Sequence, residues 1–184
     1  MTGWWVLGVA VLIVLVVFGL YLSMTAGRLD HLHRRIDTSV LALDSHLLRR
    51  SAVSQELAAA GLLDPASSML LADAAHTART SADLDVDDRA LAESNLTAAL
   101  SAVIDPEDAA LVAESAEGAA ALAELEAACR RVQLSRRFHN DAVRACRQLR
   151  RQRMARVFRL AGHTPWPETW EMDDAMPPGL PLRP

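Results

Sequence analysis

Lysine is absent from this sequence of 184 residues, so all 19 of its basic residues are arginines. Aromatic residues make up only 4% of the chain, and there are two cysteines, Cys129 and Cys146. A phosphate-binding loop that ends in Gly-Lys is therefore excluded, and two cysteines cannot build a disulfide framework. The net charge of −4 is unlike that of a nucleic-acid-binding domain, which is usually strongly basic. No residue pattern of an enzyme, a cofactor site or a metal site is found.

Alanine, leucine and valine dominate what is present, and apolar residues reach 51% of the chain. Alanine and leucine favour helices. No sustained alternation of apolar and polar residues indicates a strand, and no Asn-Gly or Asp-Gly hairpin turn occurs. The sequence therefore predicts an all-α protein.

A run of 19 uncharged residues occupies positions 4–22, close to the length that a helix needs to cross a bilayer. Trp4, Trp5 and Tyr21 lie at its two ends, where amphipathic rings favour the membrane interface. We predict a single transmembrane helix within an anchor of residues 1–26. A cleaved signal peptide remains the alternative, although such peptides normally carry positive charge before a shorter apolar core.

Arginines follow the apolar run but do not precede it, as Arg28, Arg34 and Arg35 show. Basic residues favour the cytoplasmic side of a membrane. We therefore expect a single-pass protein of the cell membrane, with its amino terminus outside and the rest of the chain in the cytoplasm.

Two Asp-Pro pairs after the anchor indicate helix starts. A first helix is predicted over residues 28–60, continuous with the transmembrane segment, because apolar residues, mainly leucines, recur there at helical spacing. Asp64-Pro65 and Asp105-Pro106 each combine an N-cap residue with proline at the first helical position. These pairs predict the start of a second helix, which ends near residue 80, and of a fourth.

The third and fourth helices complete the predicted fold. Apolar residues at helical spacing predict a third helix that covers residues 91–103. The fourth is expected to run to about residue 153, with a break near Gly118. Helices joined by short loops pack as antiparallel bundles. We therefore predict an antiparallel long-helix bundle of the four-helix type over residues 27–162.

Six of the eight prolines lie in the last 22 residues. Proline interrupts both helices and sheets. Residues 163–184 are therefore predicted to form a proline-rich, disordered tail.

Charge is segregated along the bundle. Residues 64–128 carry fourteen acids and two arginines, whereas residues 129–160 carry eleven arginines and one acid. One interpretation is that the basic helix packs beside acidic ones. The other is that the fourth helix returns to the bilayer, so that residues 150–170 contact anionic headgroups. The expected lipid contacts are Arg147, Arg150, Arg151, Arg153, Phe158 and Trp166.

Four segments occur in an order that resembles a known family. Residues 32–50 read LHRRIDTSVLALDSHLLRR, and residues 92–100 read AESNLTAAL. Residues 136–143 read RRFHNDAV, and residues 154–160 read MARVFRL. These segments resemble the motifs of LemA family proteins, which include AEN-x-L-x-x-AL and RRYYNDAV. His139 departs from the pattern, because the family has a tyrosine there.

The resemblance implies an amino-terminal anchor and an antiparallel helical bundle. It does not supply a catalytic mechanism, because the role of the family is poorly defined. Family members are often associated with membrane proteases, which implies an adaptor. The clearest motif contains Arg136, Arg137, Asn140 and Asp141, which we expect to contact a partner. The alternative is that these side chains only bond neighbouring helices and fix their register.

The sequence thus predicts a non-enzymatic, single-pass membrane protein that acts as a scaffold or adaptor. The alternative is a membrane-surface sensor or anionic-lipid-binding module that uses the arginine-rich fourth helix. The expected partners of the protein are the lipid bilayer and a membrane protein. Nucleic acid is not an expected partner. Gly19 and Ser23 form one weak dimerisation pattern, which leaves a homo-oligomer open.

Overall fold

In a computed structural model, which describes residues 3–158, 160, 162 and 164–180, the chain is all-helical. No strand occurs among these residues, which confirms the prediction of an all-α protein. The elements are α1 (Gly3–Ala59), α2 (Pro65–Thr80), a 3₁₀ turn (Ser81–Asp83), α3 (Val86–Val103), α4 (Pro106–Val112), α5 (Ala116–Arg151) and α6 (Arg153–Val157).

Helix α1 contains 57 residues, which corresponds to about 85 Å at 1.5 Å per residue. It joins the apolar run to the amphipathic segment without interruption, as predicted. Its most apolar window has a mean hydropathy of 2.8, and none of that window is buried in the protein. By length and composition, α1 is able to cross a membrane. The chain turns away after α1 at Gly61, whose φ of 69° favours glycine.

Aspartate side chains cap three helices. Asp64 accepts a hydrogen bond from the Ala66 amide at 2.9 Å, and Asp105 accepts one from the Glu107 amide at the same distance. Asp85 caps α3 in the same way. These contacts confirm the helix starts predicted at both Asp-Pro pairs. They satisfy amide groups that a helix start otherwise leaves unpaired.

The predicted fourth helix is interrupted, as expected, close to Gly118. Helix α4 ends at Val112, and α5 begins at Ala116. A Cβ atom on Gly118 would lie 1.9 Å from the Val112 carbonyl oxygen, a distance that no side chain tolerates. Glycine at this position therefore allows the turn between the two helices.

The chain divides into two compact units. The first unit comprises Met1–Thr38 and Asp141–Thr169, and the second comprises Ser39–Asn140 and Trp170–Pro184. This division differs from the boundaries predicted at residues 26 and 162, because α1 and α5 each contribute residues to both units.

The second unit has the larger apolar core. Helices α1 to α5 all contribute to its main cluster, which includes Leu57, Leu71, Leu100, Val112 and Leu125. The first unit has a smaller core between α1 and α5, made of Leu29, Ile36, Ala142, Val143, Cys146 and Leu149.

An ion pair lies inside the second unit. The Arg50 guanidinium donates to the Glu93 carboxylate at 2.6 Å, and each residue is only 1% exposed. Arg50 also donates to the Thr97 hydroxyl at 3.1 Å. Burial raises the pKa of Glu93, and the charge of Arg50 opposes that rise. The second unit therefore contains a buried charge pair whose partners depend on each other.

The proline-rich tail differs from its prediction. Residues 164–180 contain neither helix nor strand, but Trp170 is only 7% exposed and Leu180 only 3%. The prediction of disorder is therefore wrong for these residues. The prolines exclude regular hydrogen-bonded structure, but they do not prevent side chains from packing. Residues 163 and 181–184 of the predicted tail lie outside the described residues.

Candidate functional site

The ten residues that the sequence analysis singled out are divided between the two units. The second unit contains Arg136, Arg137 and Asn140. The first unit contains the other seven, namely Asp141, Arg147, Arg150, Arg151, Arg153, Phe158 and Trp166. The ten residues therefore do not all belong to one unit.

Two residues of the RRFHNDAV motif bind the tail within the second unit. The Asn140 side chain donates to the Trp170 carbonyl oxygen at 3.0 Å and accepts from the Trp170 amide at 2.9 Å. The Arg136 guanidinium binds both carboxylate oxygens of Asp174, at 2.7 and 2.8 Å. These hydrogen bonds raise the pKa of Arg136. Both motif residues thus have intramolecular partners on the tail, rather than on a neighbouring helix.

Helix α3 also contacts this part of the tail. The Thr97 hydroxyl donates to the Asp173 carbonyl oxygen at 2.8 Å, and the Asp173 amide donates to the Ser94 hydroxyl at 3.0 Å. From α5, the Gln133 side chain donates to the Asp174 carbonyl oxygen at 2.6 Å. These contacts were not predicted from the sequence. Their only sequence indication is the acidic pair 173–174 in an otherwise proline-rich segment.

The other two expected partner contacts, Arg137 and Asp141, face solvent. Arg137 is exposed. Asp141 pairs with Arg144 at 2.7 Å, one turn later on α5, and both side chains are more than half exposed. Such surface pairs contribute little to stability. Neither residue contributes to a core.

In the first unit, the end of α5 turns into the short helix α6. Gln152 interrupts the helix with an extended ψ of 140°. Residue Phe158 ends α6, and its ring packs edge-on against Phe18 with the two ring centres 5.4 Å apart. Phe18 lies within the apolar run of α1, four residues before Leu22. The contact therefore joins α6 to the segment that is able to cross a membrane.

Two predicted arginines bind backbone carbonyls after α6. Arg147 donates to the Pro167 carbonyl oxygen at 2.7 Å, and Arg150 donates to that of Pro165 at 2.6 Å. The Arg150 guanidinium also lies 4.9 Å from the centre of the Trp166 ring. This distance is that of a cation–π contact. Arg147 and Arg150 thus fix residues 165–167 beside the end of α5.

Basic and apolar side chains are exposed together around α6. Arg151, Arg153 and Arg156 are exposed. Val157 is 72% exposed, Phe158 44% and Trp166 45%. Positive charge combined with exposed apolar side chains is typical of segments that lie in a membrane interface. These six residues form what we call the α6 cluster.

The chemistry of a reactive thiol or a metal centre is not favoured in the described part of the chain. No group of three or more His, Cys, Asp or Glu residues there is placed to bind a metal ion. The thiols of Cys129 and Cys146 are free and buried. Burial raises the pKa of both thiols, which disfavours the nucleophilic thiolate.

The α6 cluster is the arrangement with the clearest chemical character: its charges suit anionic groups and its exposed rings suit an apolar phase. Comparisons with known proteins offer no counterpart for it. No family model, curated protein or solved structure matches this chain.

Proposed function

We propose that the protein is a non-enzymatic, single-pass protein of the cell membrane whose α6 cluster binds anionic lipid at the inner leaflet. In this proposal α1 crosses the bilayer with its amino terminus outside, and the rest of the chain lies in the cytoplasm. The protein then acts as a membrane-surface module whose first unit binds the leaflet more strongly when the leaflet is anionic.

The contact between Phe18 and Phe158 carries the proposal. Phe18 lies about 6 Å inside the carboxyl-terminal end of the apolar run, as four helical residues span that length. If α1 crosses the bilayer, Phe158 must lie at a similar depth. Amphipathic segments in the interface bury their apolar faces about 5–10 Å deep. The ring contact is therefore consistent with an α6 that is seated in the interface.

Charge supports the same position. Arg151, Arg153 and Arg156 are exposed around a helix of five residues. Each basic residue close to an anionic leaflet is worth about 1 kcal/mol. Three of them supply about 3 kcal/mol, which falls at high salt because ions screen exposed charges.

The arginines after the apolar run support the proposed orientation. Arg28, Arg34 and Arg35 are exposed on α1, on the carboxyl-terminal side of the apolar run. Cytoplasmic flanks of membrane helices are enriched in such residues. The same orientation brings α6 to the leaflet that carries anionic lipids.

Hydrogen exchange of the full-length protein in nanodiscs tests the proposal. With anionic lipid in the disc, the amides of residues 151–158 should exchange more slowly than in discs of zwitterionic lipid alone. The triple substitution of Arg151, Arg153 and Arg156 by Gln should remove that difference, because it removes the attraction to headgroups.

A control substitution is available on α5. Arg131 and Arg137 are exposed on α5 and belong to the second unit. Their replacement by Gln should leave the lipid-dependent protection of residues 151–158 unchanged. Equal protection in both kinds of disc, or equal loss in the triple variant and in the control, would contradict the proposal.

A scaffold or adaptor role is the second candidate, and exposed side chains on α5 favour it. Leu134 and Phe138 lie one turn apart, and both are more than half exposed, with Arg137 beside them. Aromatic residues and arginine are frequent at the centres of protein interfaces. The resemblance to LemA family proteins supports this candidate too. It extends the proposal to an antiparallel four-helix-type bundle and to a membrane-protein partner, such as a membrane protease.

Photo-crosslinking in the native membrane tests the adaptor role. A photoreactive residue in place of Phe138 should give a discrete adduct that is identified by mass spectrometry. Leu91, an exposed apolar residue on α3, provides the matched position. Adducts of the same pattern and yield from both positions would contradict a partner at this face, and an adduct with a second copy would indicate a homo-oligomer.

A further inference from the structure

We infer that an open groove of the first unit binds the headgroup of one anionic phospholipid. The groove lies between α1 and the end of α5 and has a volume of about 630 Å³. This volume is within the range of roughly 300–1,000 Å³ that is typical of small-molecule sites. The inference rests on the proposed function, because it requires α1 to lie in a bilayer.

The position of the groove along α1 indicates the occupant. Its first lining residue is Met24, two positions after the apolar run ends, and it continues past Gly27 to His31 and Leu32. These residues cover about 12 Å of helix at 1.5 Å per residue. That length follows directly on the apolar run, so a spanning α1 places the groove at the level of the lipid headgroups. A phospholipid reaches this level with its acyl chains still beside the apolar run.

The chemistry of the lining suits a phosphate-bearing headgroup. Arg28 and His31 supply a guanidinium and an imidazole from α1, and Gln148 and Gln152 supply amides from the opposite wall. Met24 and Leu149 add apolar surface next to these polar groups. Guanidinium and amide donors match phosphate oxygens, and the apolar residues match the glycerol and the first acyl carbons.

Gly27 provides room in the wall. A Cβ atom on Gly27 would have no neighbouring atom within 4 Å outside its own helix. Because Gly27 lines the groove, we expect a leucine at this position to place its side chain there. The substitution Gly27→Leu thus fills the site without removing a charge. Gly19→Leu is the matched control, because Gly19 is an equally open glycine on the same helix and does not line the groove.

Native mass spectrometry of the full-length protein provides the test. The detergent-purified protein is mixed with phosphatidylglycerol or with phosphatidylcholine, and the retained lipids are counted. We expect the native protein and Gly19→Leu to retain one phosphatidylglycerol at a concentration that leaves no phosphatidylcholine bound. Gly27→Leu should lose that adduct. Arg28→Gln should weaken retention about fivefold, the value of one cation near an anionic surface.

Three results would overturn the inference: equal retention by the native protein and Gly27→Leu, equal retention of the two lipids, or a second copy of the chain in place of lipid. Hydrogen exchange of α6 in nanodiscs, measured on the same variants, separates this inference from the proposed function. Lipid-dependent protection of α6 without a retained lipid would contradict only the inference that the groove binds a lipid. A retained lipid without protection of α6 would contradict only the proposed role of the α6 cluster.

Discussion

The two units of the chain differ in the burial of their apolar side chains. In the second unit, leucines from several helices are fully buried, and even a charged pair, Arg50 and Glu93, is enclosed. In the first unit, the residues of the apolar run are almost all exposed, and the core is limited to a few contacts between α1 and α5. Burial of apolar surface is the main source of stability in water. The second unit gains this stability by burying its own leucines, whereas the first unit leaves the side chains of the apolar run exposed.

Because of this difference, we expect substitutions in the two units to affect the stability of the protein differently. Stability should respond to interior changes in the second unit and hardly at all to changes in the apolar run. Association with lipid should show the opposite dependence.

The largest effect is expected from Arg50→Met. The substitution leaves the buried Glu93 carboxylate without its cation, which typically costs about 3–5 kcal/mol. The adjacent Arg49 forms only half-exposed pairs, and Arg49→Met should cost less than about 1 kcal/mol. Urea unfolding of the full-length protein in detergent measures both free energies. Similar losses for the two variants would show that the buried pair is not special.

The loss of stability in Arg50→Met should also depend on pH. Burial holds the pKa of Glu93 above its ordinary value of 4.5, and the charge of Arg50 limits that rise. A carboxyl with a raised pKa stays protonated to a higher pH in the folded state than in the unfolded state. Its contribution to stability therefore falls as the pH rises above the pKa of the unfolded state. Without Arg50 the rise in pKa is larger. The deficit of Arg50→Met should therefore grow between about pH 5 and pH 8, as followed by urea unfolding at each pH. A deficit that is constant over this interval would contradict the assignment.

Two leucine substitutions compare the units directly. Leu125 is fully buried in the second unit, and Leu125→Ala should lower the free energy of unfolding by about 2–5 kcal/mol. Leu12 is exposed in the apolar run, and Leu12→Ala should change it by less than about 0.5 kcal/mol. Both values come from the same unfolding experiment in detergent. A large loss for Leu12→Ala would mean that the apolar run is packed against protein rather than exposed.

A smaller effect is expected at the tail. Asp174→Asn weakens the two hydrogen bonds from Arg136 and should cost about 1–2 kcal/mol, since the pair is only partly exposed. Asp141→Asn removes a pair that is more than half exposed and should leave stability unchanged. Thermal unfolding with limited proteolysis after residue 164 provides the measurement. A tail that is cut equally fast in the native protein and in Asp174→Asn would show that the pair does not fix it.

The positions of the helices were predictable because their causes are local. The Asp-Pro pairs fixed the starts of α2 and α4, and the 3.6-residue periodicity of leucine fixed the continuation of α1. Gly118 marked the break before α5, because a glycine inside a helical pattern often has a backbone reason. Each of these features depends on residues within one or two turns of each other.

The candidate site was predictable only in its residue types. Four residues of the α6 cluster were identified from charge and hydropathy, namely Arg151, Arg153, Phe158 and Trp166, but their contacts were not. Phe18 and Phe158 are 140 positions apart, and no periodicity connects them. The roles of Arg136 and Asn140 were equally hidden, because their partners lie in a segment without regular structure.

The sequence by itself determined the composition of helices, their capped starts and the long uncharged run, since these follow from backbone propensity and spacing along one chain. Only the tertiary structure decided that the proline-rich tail packs on α3 and α5, that Arg50 is enclosed with Glu93, and that α6 contacts the apolar run. Such contacts join residues that are far apart in the chain. They form where folding brings together side chains that are complementary in shape and charge. A local sequence pattern does not predict such contacts.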